Sequence, residues 1–314
     1  MASRRHLIIL NPTAGKGRAA ERIPEIEALL DAKGLDYDIR VTQAVWHGAE
    51  LAREAGKGGY DVAVAAGGDG TANEVINGLM LAAERGETPP ALGVLSIGRG
   101  NDFAYGAGVP GGLEPCVEVL AAGLERPLDV GKVTGGDYPG GRYFGNGVGA
   151  GFDTIVGLEA AKLRFVHGFM AYVIGALRTL AIFPEAPEVR IEAEGLSVEQ
   201  ASTQISFMNG RRMGGTFFMA PDAANDDGLL DLCLAGSLNR REMLALILRY
   251  IKGTQAGHPK IRVGRYPRYE VSAPKGGLVV HADGETICVN GSSLIVECLP
   301  SRLRIVCGGN EDRA

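Results

Sequence analysis

Residues 63–78 read AVAAGGDGTANEVING, an apolar run that stops on Gly67, Gly68, Asp69, Gly70 and Thr71 before a helical pattern begins at Ala72. Glycine admits backbone angles closed to other residues and lets a ligand approach the main chain. A helix opening directly behind such a turn offers unpaired N–H groups and the positive end of its dipole, which suits a phosphate. The same residues also fit a tight strand-to-helix turn with no ligand. Other carboxylates lie in comparable settings: Asp102 in GRGND, Asp129 in PLDVG, Asp227 in NDDG and Glu285 in HADGE. Carboxylates in glycine-rich loops near phosphate hold magnesium. The plain alternative is an Asp-Gly turn, and HADGE also reads as a strand followed by a turn unless a hydroxyl needs a base there.

The elements that must position these residues follow from the hydrophobic pattern. Over the first 130 residues, short apolar strands (HLIIL, YDIRVT, DVAVAA, ALGVLS, PLDVGKV) alternate with helical spacing at 18–31, 47–55, 72–83 and 115–122. Such alternation predicts an α/β domain, a doubly wound parallel sheet with helices on both faces. Ligands of these sheets bind at the carboxyl ends of the strands. Four loops fall on that edge: Asn11, Pro12, Thr13, Ala14 and Gly15; Thr42; residues 67–71; and residues 98–102. Their convergence strengthens the phosphate reading. Beyond about residue 130 a long helical pattern at 153–182 leads into strand-like runs (EVRIEAE, STQISFMN, LLDLCLA, RYEVSA, GLVVHADGE, SLIVECL), interrupted by helical spacing at 240–251. This predicts a second, β-rich, antiparallel, sandwich-like domain.

Several classes are disfavoured. A net charge of −5 gives no support to nucleic-acid binding. The five cysteines show no CxxC spacing and, with the five histidines, no zinc pattern, so reduced thiols and a cytoplasmic setting are expected. AGKGR lacks Walker A spacing, GNGVGA at 145–150 lacks the context of a dinucleotide fingerprint and reads as close backbone packing, and no GxSxG elbow is present. The apolar run of residues 7–10 is too short for a signal peptide and reads as a first strand. The stretch 165–183 is interrupted by His167 and Arg178, which predicts a buried or surface-lying helix and no transmembrane segment. The basic stretch KIRVGRYPR at 260–268 fits either an anionic membrane surface or a solvated strand face.

The motifs NPTAG, GGDGTANEVINGL, GRGNDFA, PLDVG, NGRRMGG…APDA…DDGLLDL and DGE occur in this order over residues 7–306. Together they resemble the bacterial diacylglycerol kinase and lipid kinase family, the soluble ATP-dependent kind. GGDGT alone is shared with NAD kinases. The resemblance implies that Asn11, Pro12, Thr13, Ala14, Gly15, Thr42, Gly68, Asp69, Gly70, Thr71, Ala72, Asn73 and Glu74, with Arg99 and Asn101 of the third loop, line an ATP site. It implies that Asp69, Asp102 and Asp129 form an acidic network around a catalytic magnesium ion. Asp227, with the carbonyls of Ala224 and Leu229, would hold a structural Mg2+, and Glu285 would accept the proton of a lipid hydroxyl. The last strand, about 294–306, would return to the nucleotide domain. The domains would then be 1–130, completed by about 296–314, with 131–295 as a lipid-substrate and metal domain. A lipid substrate calls for a cytoplasmic protein peripheral to the inner face of the membrane, with the apolar stretch 165–183 and the basic stretch 260–268 as candidate docking surfaces, and the resemblance makes a homodimer an expectation.

The chain departs from the family at Arg99, where Thr or Ser is usual, and at Thr216, where a glycine is common. Arg99 could add a fork of donors toward a triphosphate or point to solvent. Two other readings stay open: an NAD kinase-like phosphotransferase, which GRGNDFA, DDGLLDL and the late DGE fit less well, and a nucleotide-binding regulatory protein without turnover, which has no need of Glu285.

Overall fold

The computed structural model describes residues 4–163, 169–183 and 185–308. The chain divides into two compact units, one of Met1–Val130, Asn225–Asp227 and Pro300–Ala314, the other of Gly131–Ala224 and Gly228–Leu299.

In the first unit, β1 (Arg5–Leu10), β2 (Asp36–Val41), β3 (Val62–Gly67) and β4 (Ala91–Ser96) pair in parallel in the order β2-β1-β3-β4. The far end of β15 (Ser293–Val306) adds to β4 in parallel, Ile305 opposite Leu92. Leu7–Leu10, Val62–Ala66 and the β4 apolar residues are almost wholly buried, as expected of parallel strands covered on both faces. α3 (His47–Ala55) packs on α4 (Asp69–Glu84), and α2 (Ile23–Ala32) on α6 (Leu113–Ala122). Two short pieces were not legible as helices: α1 (Ala14–Gly17), an irregular turn with Gly15 and Lys16 left-handed, and α5 (Asp102–Gly106).

The second unit is a β-sandwich. β6 (Tyr138–Phe144) pairs with β5 (Glu125–Gly135), and β12 (Arg268–Ser272) lies between the near end of β15 and β8 (Glu188–Ala193). The thirteen-residue β9 (Leu196–Met208) pairs with β8 through its first half. Through its second half it lies between β7 (Gly147–Gly151) and β10 (Leu230–Gly236). β13 (Leu278–Ala282), β14 (Glu285–Gly291) and β11 (Ile261–Tyr266) complete that sheet, all antiparallel. Phe144, Ile191, Ile205, Phe207, Tyr269 and Val296 fill the space between the sheets.

A second apolar cluster joins Phe152 and Val156 of α7 (Phe152–Ala161), Leu180 of α8 (Phe169–Ile182) and Met243, Leu246 and Tyr250 of α9 (Arg240–Lys252). The continuous helical pattern expected at 153–182 is therefore two helices; residues 164–168, with the start of the apolar stretch, lie outside the described residues. Among the described residues no helix is long and apolar enough to cross a membrane. The basic stretch 260–268 forms β11 and the start of β12, with Arg262, Val263 and Arg265 outward. All five cysteines are buried and unbridged, and burial pushes the Cys233 thiol up to about 11.

Candidate active site

Three loops of the first unit meet where the strands end. The N–H groups of Ile97 and Gly98 both donate to the Gly67 carbonyl at 2.9 Å, drawing the ends of β3 and β4 together. A β-carbon on Gly98 would collide with the Gly68 Cα, so two backbones touch where a side chain would keep them apart. Asn101 is left-handed (φ 50), and its Nδ2 donates to the Gly98 carbonyl at 3.1 Å. From the first loop, Asn11 Nδ2 donates to Thr71 Oγ1 at 3.2 Å, while Asn11 Oδ1 accepts from the Thr13 N–H and hydroxyl at 3.0 and 2.8 Å. The Thr42 N–H continues the β1 pairing by donating to the Leu10 carbonyl at 2.8 Å.

α4 starts at this junction. Its cap Gly68 is extended, and Gly70 has open space where a side chain would be. The first N–H groups of any helix lack partners within it, so the α4 terminus presents donors and a positive dipole end to the space above the loops. Asp69 and Asp102 converge here. A β-carbon on Gly100 would lie 2.8 Å from Asp69 Oδ2 and 3.4 Å from Asp102 Oδ2. Asp69 Oδ1 accepts the Phe103 N–H at 3.0 Å, which aims its other oxygen. Arg99 is exposed, and none of the described residues pairs with it.

Other expected residues support the site from behind. Ala72 and Asn73 are buried in α4. Glu74 accepts the Trp46 and Gly48 N–H groups, each at 2.9 Å, and so caps α3 across its left-handed Trp46. Asp129 is wholly buried; its Oδ1 accepts the Ser301 N–H at 2.7 Å and its own N–H donates to the Asn225 carbonyl at 2.8 Å. Arg126 holds the same loop, with Nη2 donating to Asn225 Oδ1 at 2.8 Å and Nη1 3.5 Å from Asp226 Oδ2. The NDDG segment is thus a pinned loop and not a plain hairpin turn. Asp227 belongs to the first unit, Ala224 and Leu229 to the second. Among the described residues no three His, Cys, Asp or Glu side chains gather to hold one ion. Magnesium commonly takes one or two carboxylates and completes its shell with phosphate and water, so Asp69 and Asp102 fit it as a pair.

In the second unit, Glu285 follows a two-residue hairpin turn, Asp283 (φ 46) and Gly284 (φ 88), between β13 and β14. Both turn residues are left-handed, as a two-residue hairpin of this hand requires. Asp283 is drawn into the backbone: Oδ2 accepts the Gly145 N–H at 2.7 Å, and Oδ1 accepts those of Asn146 and Gly147 at 3.0 and 2.9 Å. GNGVGA is therefore a cradle for a carboxylate 138 residues away. The NGRRMGG segment joins it, through Asn209 Nδ2 to the Gly145 carbonyl at 2.8 Å and Asn146 Nδ2 to the Arg212 carbonyl at 3.0 Å. Gly214 and Gly215 are left-handed there but Thr216 is not, so the missing third glycine is tolerated. The Gly284 N–H donates to His281 Nδ1 at 3.2 Å, so the ring carries its proton on Nε2, 3.5 Å from Asp153 Oδ2. Glu285 itself is exposed. The sequence reading did not single out Asp283, its docking on Gly145–Gly147 or His281; the available signal was the close backbone packing expected of GNGVGA, which leaves its N–H groups in need of an acceptor.

The Diacylglycerol kinase catalytic domain family matches residues 5–133, and the YegS C-terminal NAD kinase beta sandwich-like domain family matches residues 146–307. A diacylglycerol kinase of Staphylococcus aureus is 31% identical over 90% of this chain and 86% of its own length. The lipid kinase YegS of Escherichia coli K12 is 31% identical over 95% of this chain and 94% of its own. In fold, the chain is similar to a diacylglycerol kinase of Bacillus anthracis (TM-score 0.73, 20% identity, 98% of both chains). It is more distantly similar to yeast NADH kinase complexed with NADH (TM-score 0.53, 10% identity, 99% of this chain and 86% of that one). The class is therefore a kinase, a phosphotransferase. Within that class, the chain belongs to the diacylglycerol kinase and lipid kinase family.

Proposed function

We propose that the protein is an ATP- and magnesium-dependent lipid kinase that phosphorylates the hydroxyl of a lipid such as diacylglycerol at a membrane surface. The observation that carries this reading is the meeting of Asp69 Oδ2 and Asp102 Oδ2 on Gly100, beside the open N-terminus of α4. Two hard oxygen donors next to a helix terminus match the needs of a metal-bound polyphosphate. Magnesium held by Asp69 and Asp102 would neutralise charge on the terminal phosphates. The Asn11–Gly15, Gly68–Thr71 and Gly98–Asn101 backbones would position the nucleotide, with Arg99 adding charge from the rim. Such transfer depends mostly on positioning and charge stabilisation.

Glu285 would accept the proton of the lipid alcohol as its oxygen bonds to the γ-phosphorus and the bond to the ADP leaving group breaks. Asp283, anchored in its cradle, would set where Glu285 points. Asp227, with the Ala224 and Leu229 carbonyls, would bind the structural magnesium ion, and Asp129 would support the catalytic site through the backbone it anchors.

Transfer of labelled phosphate from ATP, with magnesium, to a panel of micellar lipids and free NAD tests the reading. Label in an organic-extractable product is expected, and the best acceptor names the substrate. Label in NADP would replace the reading with an NAD kinase. Nucleotide binding without transfer to any acceptor would favour a regulatory protein.

A further inference from the structure

We propose that the outward face of α9 docks the protein on an anionic lipid bilayer. The inference deepens the lipid-kinase reading and rests on it for the source of the bilayer. α9 is apolar on two faces. Met243, Leu246 and Tyr250 are buried beneath it, while Leu244, Leu248 and Ile251 stand 51%, 62% and 41% exposed on the other side. A surface helix ordinarily turns polar residues to water. Here three large side chains at spacings of four and three form a single outward row.

Arg241 stands one turn before Leu244, and Lys252 one turn after Leu248, both exposed and in line with the row. None of the described residues pairs with either cation. The chain as a whole carries −5, so this cationic frame around an apolar row runs against its average. Apolar side chains framed by Lys and Arg fit the boundary between acyl chains and anionic headgroups.

The helix is finished at both ends. Asn239 and Glu242 form a reciprocal cap at its start, and left-handed Gly253 closes it. The row is thus held by the rest of its own unit and needs no partner to become helical. Arg240 Nη2 donates to the Ala181 carbonyl at 2.9 Å, joining α9 to the end of α8, where Leu177 and Ile182 are 60% and 61% exposed.

A second copy of the chain fits the row less well. Both ends of the row are cationic, so any two-fold pairing of it sets cation against cation. A thirteen-residue helix is only about 20 Å long, and its one face is far short of the roughly 800 Å² per partner of a stable interface.

Co-sedimentation with vesicles tests this, using phosphatidylcholine alone and mixed with phosphatidylglycerol. The wild type is expected to bind the mixed vesicles, more weakly at high salt. Leu244→Glu with Leu248→Glu should lower partitioning at least about tenfold. Arg241→Gln with Lys252→Gln should lower it about fivefold per charge and only on the anionic vesicles. Both variants should keep the wild-type melting temperature and phosphate transfer to micellar lipid.

Unchanged binding in both variants would overturn the proposal, as would a wild type that ignores vesicles at every anionic content while still phosphorylating micellar lipid. A dimer in gel filtration that Leu244→Glu with Leu248→Glu dissociates would also overturn it, by giving the face to a second copy. Wild-type binding that these variants abolish, with no lipid phosphorylated in any assay, would keep the docking face and retire the lipid-kinase reading.

Discussion

Two aspartates, each followed by glycine, have opposite fates. Asp69, in the first unit, accepts one backbone N–H through Oδ1 and holds Oδ2 toward Gly100, near the Asp102 carboxylate. Asp283, in the second unit, has both oxygens occupied by three consecutive backbone N–H groups. The dipeptide is the same; the number of donors facing each carboxylate differs. A carboxylate with an oxygen to spare can serve a metal, whereas one surrounded by donors becomes a fixed point of the fold. Glu285, two residues on, is left exposed.

The largest effect should come from Glu285→Gln. Because the side chain is exposed, the fold should hold and ATP should still bind, while turnover falls by about a hundred- to ten-thousandfold. Turnover close to wild type would remove Glu285 from the mechanism. Asp69→Asn and Asp283→Asn then test the comparison itself. Asp69→Asn keeps an acceptor for the Phe103 N–H but loses charge at the proposed metal position, so transfer should drop about a hundredfold or more with little change in melting temperature. Asp283→Asn sets an amide against N–H donors; losing charge-assisted bonds typically costs about 1–3 kcal/mol, so the melting temperature should fall by a few degrees along with turnover. Equal melting shifts in the two variants would erase the distinction.

Smaller effects sharpen it. Arg99→Thr should raise the Michaelis constant for ATP about tenfold, the usual scale of a charged hydrogen bond, and an unchanged constant would mean that Arg99 faces only solvent. His281→Asn retains an acceptor near the position of Nδ1, where His281→Gln moves it outward. If the Gly284 N–H bond holds the turn, the glutamine variant should lose about fivefold more in kcat than the asparagine variant at similar KM. Equal losses would leave His281 with a packing role alone.

Much of the fold was legible because its signals are local. Strands buried on both faces are apolar throughout, so β1, β3 and β4 stood out, as did the glycine turns that end them. The β-rich character of the second unit was also evident from its runs. The boundaries failed where pattern is ambiguous: 153–182 has one helical period but forms two helices, and β6, β7 and β14 lack a clear alternation. In the first unit, the loops that meet at the strand ends were legible from their glycines, whereas the partners of each side chain were not. Glu74 sits in the same motif as Asp69, yet it faces α3 and caps Trp46 and Gly48.

The sequence by itself determined the alternating strands and helices of the first unit, the glycine loops at the strand ends and the kinase family of the whole. The first two depend on neighbours a few residues apart, where spacing translates directly into geometry; the family depends on the order of motifs along residues 7–306. Tertiary structure alone decided that Asp283 docks in Gly145–Gly147, that Asp129 binds the backbone of Ser301, 172 positions later, and that α9 turns Leu244, Leu248 and Ile251 to the outside. The physical reason is common to all three. A carboxylate or a leucine has the same local signature whether it is satisfied by distant backbone, buried in a core or left facing out, and only the folded chain determines what lies opposite it.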